Sequence, residues 1–264
     1  MSCCSLHRGL LPPGAARGAE RSFLDTTAVV ASPSPDRLSM HLDPFITGAG
    51  RNHSMTLTVY GSAESRTMRV LWAAAELGLV YEHIALASND PALKLPDFLR
   101  INPAGTIPAI VDDGFALSES LAINLYLAKR YSSDGSRAFY PTSLQGEASV
   151  WRWSLWAQAH LEPWLQRDSR LEDLRIAMED YVPALVQPAL TVLNDVLAKS
   201  PWLVGQDFTV GDLNVAAVLS PSRTAHIDLR GHLSVRDWLM RCYARPAAVA
   251  TRQRFQSYCS PTLA

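Results

Sequence analysis

The chain of 264 residues has few cysteines, only Cys3, Cys4, Cys242 and Cys259. Their spacing fits neither a zinc site nor a C-x-x-C redox pair, and it offers no disulfide framework, so a reducing cytoplasm is the expected setting. Net charge is also scarce. Lys and Arg number 24 against 25 Asp and Glu, a balance of −1, which supplies no electrostatic draw for nucleic acid or for an anionic membrane surface. No window approaches the roughly eighteen uninterrupted apolar residues of a membrane-spanning helix. Glycine is sparse where a dinucleotide-binding loop would need it. The segment "GSAESR" (61–66), which follows the first convincing strand, carries one glycine, not the G-x-G-x-x-G run of a Rossmann fingerprint.

What is present divides the chain. Residues 1–54 contain "LLPPGAARGAERS" and "VVASPSPDRLS", rich in Pro, Gly, Ala, Ser and Arg without a sustained period. This composition predicts a disordered arm. Glu20, Asp25, Asp36 and Asp43 argue against a transit peptide, and no secretory apolar core is visible. Met55 directly precedes the first strand, so a start there is the alternative expectation.

From Met55 the pattern becomes regular. "TLTVY" (56–60) reads as a buried strand closed by Gly61, and a helix follows that ends at Gly78, a good residue just past a helix end. "VYEHIAL" (80–86) reads as a second strand with Val80, Ile84 and Leu86 on one face, and "LPDFLRI" as a short helical turn. "IPAIVDD" (107–113) and "FALS" (115–118) flank Asp113-Gly114, a strong hairpin signal. "ESLAINLYLAKRY" (119–131) reads as an amphipathic helix with a basic last turn.

This order, βαβ and then ββα, predicts one mixed four-stranded sheet with helices on its faces over 55–132, a thioredoxin-like α+β domain. Residues 133–145 read as a linker and 146–264 as an all-helical domain, with helices near 147–165, 171–180, 183–199, 210–219 and 235–243. In "FTVGDL", Thr209 and Asp212 read as a capping box with Phe208 and Leu213 as its staple. "RPA" (245–247) reads as a helix end. Trp153, Trp156 and His160 share a helical face suited to core packing and the domain interface, with the lining of an apolar pocket as the alternative, and His226 and His232 read as surface residues.

Two stretches carry chemistry. In "GSAESRTMRV", hydroxyls at Ser62, Ser65 and Thr67 stand at a helix mouth after a strand. They serve either as caps or as a site for a small anion or thiolate. Arg66 and Arg69 read as solvated helix residues, with added charge beside the anion as the alternative. In "NPAGTIPAIVDDGFALSESLAI" (102–123), Pro108 enters a strand. A trans bond there is an ordinary strand start; a cis bond turns the backbone of Ile107 outward to pair with an extended peptide. Downstream, "SES" opens a helix whose free N–H groups favour a carboxylate. Glu119 suits an ammonium and Ser120 a carboxylate, together the head of an amino-acid-like ligand.

"VYGSAESRTMRVLWAAAELGLVYE", "INPAGTIPAIVDDGFALSESLAINLYLAKRY", "FTVGDLNVAAVL" and "WLMRCYARPA" together resemble a cytosolic glutathione S-transferase, most like the bacterial serine-type members, from Met55 to about Ala248. The resemblance implies a thioredoxin-like domain, a helical second domain and a homodimer. It makes Ser65 the catalytic hydroxyl, with Ser62, Thr67 and Tyr60 as rivals, and Pro108 a structural cis-proline. Glutathione would be held by Ile107 at its cysteinyl part, by Glu119 and Ser120 at its γ-glutamyl head, and by Lys94 and Thr106 near its glycyl end. Leu93 replaces a frequent histidine, and Thr106 a frequent Gln or Lys. No cofactor or metal is implied, only glutathione as co-substrate and a small hydrophobic electrophile as partner. Peroxide reduction or isomerisation on the same site, and a non-catalytic glutathione-binding scaffold, are the alternative functions.

Overall fold

Leu57, Thr58, Val59 and Tyr60 are all buried, as suits a strand covered on both faces. In the computed structural model, which describes residues 30–31, 56–132, 139–165, 182–220 and 227–255, this strand (β2, Leu57–Tyr60) lies at the centre of a five-stranded sheet. The others are β1 (Val30–Ala31), β3 (Glu82–Ile84), β4 (Ala109–Asp112) and β5 (Phe115–Ser118), in the order β1-β3-β2-β4-β5. β1, β3 and β2 run parallel, while β4 and β5 are antiparallel to their neighbours. The expected four strands are present. The fifth comes from the arm: Val30 and Ala31 pair with His83 and Ile84. The free N–H and C=O groups of an edge strand accept any extended segment that reaches them, which departs from an arm wholly without structure. The rest of residues 1–55 lies outside the described residues.

Alternation along the strands divides the core. Leu57, Val59 and Ile110 face a large cluster shared with α1 (Thr67–Leu77) and α3 (Ser120–Tyr131); Tyr60, Ile84 and Ala109 face a smaller one with Phe98 and Ile101 of α2 (Pro96–Ile101). β3 is shorter than its sequence suggested. Val80 is exposed, not on the inner face, and His83 is buried. Asp113 and Gly114 both take positive φ (48° and 85°), as a tight hairpin turn of the primed type requires.

The second domain begins at α4 (Leu144–His160), capped by Ser143, whose side chain accepts from Gly146 N–H. It continues with α5 (Glu162–Leu165), α6 (Val182–Leu197), α7 (Val210–Val218), α8 (Leu233–Tyr243) and α9 (Pro246–Arg254). The helix expected near 171–180 lies outside the described residues. α7 is buried on every side, and its capping box is formed: Thr209 N–H donates to Asp212 Oδ2 at 3.0 Å. Leu203 N–H and Trp238 Nε1–H donate to the other oxygen, each at 2.9 Å, so one carboxylate ties together the helix start, a loop and α8.

Trp153 donates to Leu203 O and stacks edge-on against Trp156 inside this domain, and Trp156 packs on His160. Two expectations are corrected. "RPA" does end one helix, but Pro246 also starts α9, since proline is tolerated at the first helical position. His232 is buried rather than on the surface, with Nε2 2.7 Å from Gln187 Oε1; His226 lies outside the described residues. No helix among the described residues is long and apolar enough to cross a membrane.

Candidate functional site

The register of the sheet brings the two chemical stretches together. Tyr60 pairs with Ala109, and Ala109 with Ser118. The chain leaving β2 (Gly61–Arg66), the chain entering β4 (Ile107-Pro108) and the chain leaving β5 (Glu119) therefore meet at one end of the sheet. The helices α1 and α3 both start there.

At the mouth of α1, Gly61 takes φ 127°, and a Cβ on it would lie 2.2 Å from Thr67 Oγ1 and 2.9 Å from Ile107 Cβ. Only glycine fits where the chain leaving β2 passes between Thr67 and Ile107. Ser65 is half-buried. Its hydroxyl donates to Ser62 O at 2.7 Å, accepts Thr67 N–H at 3.1 Å, and lies 2.8 Å from Thr67 Oγ1. Swinging the Ser65 O–H from the Ser62 carbonyl to a ligand leaves the oxygen still held by Thr67 N–H. Thr67 is fully buried, so its hydroxyl supports Ser65 rather than facing solvent, while Ser62 is half-buried. Tyr60 is 1% exposed and packs edge-on against Phe98. Burial, with the Glu82 charge second, pushes its phenol up to about 12, which keeps it a neutral core group.

The Ile107-Pro108 bond is cis, which decides between the two readings of that proline. Ile107 is buried, and its backbone makes no hydrogen bond with another described residue. The preceding loop is organised by Asn102, 2% exposed. Its amide donates to Thr106 O at 2.7 Å and Thr106 Oγ1 at 3.1 Å, and its Oδ1 accepts Ala104 N–H in an Asx turn. Lys94 donates to Gly105 O at 2.9 Å. Lys94 and Thr106 thus lie together beside this loop, both partly engaged in holding it, while Leu93 is buried in the smaller core.

At the start of α3, Glu119 is exposed with φ 71° and ψ 110°. Such a conformation costs a non-glycine residue about 1–3 kcal/mol and is typical of ligand sites. Ser120 is 3% exposed and accepts from Arg69 Nη1 at 3.3 Å. A serine oxygen that accepts from a guanidinium turns its own hydrogen away, free to donate to a carboxylate.

Arg69 corrects the solvated reading of its position. It is 3% exposed and forms a fork on Glu162 (1% exposed) at 2.9 and 2.8 Å, across the domain boundary. Arg66, partly exposed, stands 4.0 Å from the same carboxylate. Both guanidinium groups stand at the mouth of α1, where the helix dipole also favours an anion. Behind this pair, Asn124 Nδ2 donates to Arg69 O and Asn214 Oδ1, and Asn214 Nδ2 donates to Ser154 Oγ. This buried polar chain carries the contact into α4.

Comparison with known proteins fits this geometry. The family described as glutathione S-transferase, N-terminal domain, matches residues 55–129. Glutathione S-transferase 3 of Zea mays is 31% identical over 211 residues, covering 72% of this chain and 90% of its own. The chain belongs to the glutathione S-transferase family. The disulfide-bond oxidoreductase YfcG of Escherichia coli is 32% identical over 164 residues, covering 58% of this chain and 74% of its own. Among solved structures, a glutathione S-transferase from Pseudomonas fluorescens is 26% identical, with a TM-score of 0.63, covering 72% of this chain and 96% of that one.

Within this transferase, Asn102 and Glu162 hold the candidate site's loops and helices and escape the sequence reading, which assigns Arg69 to solvent. Asn102 carried a signal, since "INPAG" is an Asx-turn sequence. Glu162 carried none, because its partner lies 93 positions away.

Proposed function

We propose that the protein is a glutathione transferase of the serine type, which binds glutathione, stabilises its thiolate and lets the sulfur attack a small hydrophobic electrophile held between the domains. One observation carries this reading: a half-buried hydroxyl, an unpaired peptide backbone before a cis-proline, and a strained glutamate followed by a polarised serine converge at one end of the sheet. Each matches one part of a γ-glutamyl-cysteinyl peptide. Glu119 meets the ammonium and Ser120 the carboxylate of the γ-glutamyl head. Ile107 pairs with the cysteinyl backbone. Lys94 and Thr106 lie where the glycyl end would emerge.

Ser65 donates to the sulfur. A free cysteine thiol has a pKa of about 8.5, so at neutral pH only a small fraction is thiolate. A hydroxyl donor, a helix N-terminus and the nearby Arg66 guanidinium all favour the anion. Burial fits Ser65 better than Thr67 or Tyr60.

The test is calorimetric titration with glutathione, together with turnover across a panel of electrophiles and peroxides. Binding with conjugation supports the proposal. Binding without any turnover supports a non-catalytic scaffold, and absence of binding overturns both. A second reading, glutathione-dependent disulfide reduction, is favoured by the name of the Escherichia coli relative, a disulfide-bond oxidoreductase. The sequence places no cysteine near Ser65, so that chemistry would oxidise two glutathiones to their disulfide without a protein thiol.

The expected setting is the cytoplasm, where glutathione is kept reduced. The expected assembly is a homodimer. Leu144, Trp151 and Leu155, at i, i+7 and i+11 of α4, are exposed large apolar side chains on one helix face, a stripe suited to a second copy.

A further inference from the structure

The Ser62–Ser65 turn hangs from one peptide group, the bond between Gly61 and Ser62. Both of its polar ends are held by β3 and the residues after it. Ser62 N–H donates to Leu86 O at 2.7 Å, and the Gly61 carbonyl lies 2.7 Å from His83 Nε2. The peptide plane is therefore fixed from both sides. From it the turn is built outward, with Ser62 O accepting both the N–H (3.1 Å) and the hydroxyl (2.7 Å) of Ser65.

His83 is itself immobilised. It is 1% exposed, and its ring meets Phe255, just past α9, edge-on at 5.4 Å between centroids. Nδ1 is buried and has no hydrogen-bond partner among the described residues. A carbonyl can only accept, so the network assigns the proton to Nε2 and leaves Nδ1 as a bare lone pair. The imidazole is thus a neutral, single-purpose donor aimed at the hinge of the turn. A leucine of similar size would fill the space but leave the Gly61 carbonyl without this donor.

We infer that His83 is a positioning residue for the thiolate-stabilising hydroxyl, acting through the Gly61 carbonyl on the placement of Ser65. The inference rests on the proposed role of Ser65. Without the His83 donor the Gly61–Ser62 peptide is held only from its N–H side, by Leu86 O, and glycine resists the resulting tilt of the carbonyl least of all residues. The Ser65 oxygen then loses its fixed place relative to the sulfur, while the γ-glutamyl contacts at α3 are untouched.

The test uses the full chain with glutathione and a chlorodinitrobenzene electrophile. His83→Leu, His83→Gln and Ser65→Ala are compared by kcat, by KM for glutathione, and by pH titration of the bound thiolate's ultraviolet absorbance. His83→Leu is expected to raise the bound thiol's pKa by about one unit and to lower kcat about tenfold. Its KM for glutathione should change little. His83→Gln, whose amide N–H can reach the same carbonyl, should recover most of both effects, which a mere packing role would not predict. If the leucine variant does not fold, His83→Asn, whose shorter amide stops short of the carbonyl, replaces it.

A folded His83→Leu protein with unaltered pKa and kcat, beside an impaired Ser65→Ala, overturns the inference alone. A glutamine variant no better than leucine also overturns it. If Ser65→Ala itself titrates like the parent, the role of Ser65 fails, and the inference fails with it.

Discussion

Glu162→Gln should destabilise the protein far more than an isosteric change suggests. Arg69 and Glu162 are both almost fully buried, and the fork between them has two bonds at 2.8–2.9 Å. Glutamine keeps the shape and one acceptor oxygen but turns an NH₂ group toward the other guanidinium N–H. The result is a buried cation without its counter-charge, which costs about 3–5 kcal/mol. For a chain of this size each kcal/mol moves the melting temperature by about 2–4 °C, so a fall of roughly 6–20 °C is expected in thermal melts, with a matching loss in urea unfolding.

The double variant Arg69→Met/Glu162→Met removes both charges and should recover most of that stability, since replacing a whole buried pair by apolar groups is often neutral. It should still bind glutathione more weakly, because Ser120 loses its guanidinium donor. A Glu162→Gln protein within about 1 kcal/mol of the parent would refute the reasoning, placing the pair in the class of solvated ion pairs.

Three further outcomes are expected. Ser120→Ala should weaken glutathione binding by about 1–3 kcal/mol in calorimetry, through loss of a charge-assisted hydrogen bond. Leu155→Glu, which places a charge in the apolar stripe of α4, should shift a dimer to monomer in sedimentation experiments while leaving the melting temperature of the protomer fold nearly unchanged. Burial, opposed by the bond to Gly61 and reinforced by the Arg254 charge, lowers the His83 pKa below its usual 6.5. The unfolded chain then binds a proton that the folded one does not, so the stability from His83 is fully present above pH 6.5 and is lost as pH falls toward the folded value. His83→Gln should flatten that part of the stability-against-pH curve.

The thioredoxin-like domain was legible because its signals are local. "TLTVY", Asp113-Gly114 and the two helix starts each announce themselves within a few residues, and the order of elements leaves little choice of sheet. Thr209 and Asp212 were legible for the same reason, as a cap spans one turn. Ser65, Ile107, Pro108, Glu119 and Ser120 are site candidates from their motifs alone, and the fold supplies what sequence cannot, a register that sets them at one sheet end. Arg69 was misread as solvated because its fate depends on Glu162, in another domain. His83 is buried although polar, because its imidazole serves the Gly61 carbonyl, and Val80 is exposed because β3 begins only at Glu82. Pro246 was read as an end because proline closes one helix and opens the next equally well. Each miss concerns a long-range polar contact or a boundary, which hydrophobic periodicity does not encode.

The central claim is that the Ser65 hydroxyl stabilises the glutathione thiolate. Its most direct test is the pH titration of the bound thiolate's ultraviolet absorbance in the parent protein and in Ser65→Ala. The parent should titrate well below the free thiol's pKa of about 8.5. Ser65→Ala should titrate closer to it, with kcat reduced by about 2–4 kcal/mol of transition-state stabilisation and glutathione affinity nearly unchanged. Identical titrations in the two proteins, with equal turnover, would contradict the account and reduce Ser65 to a helix cap.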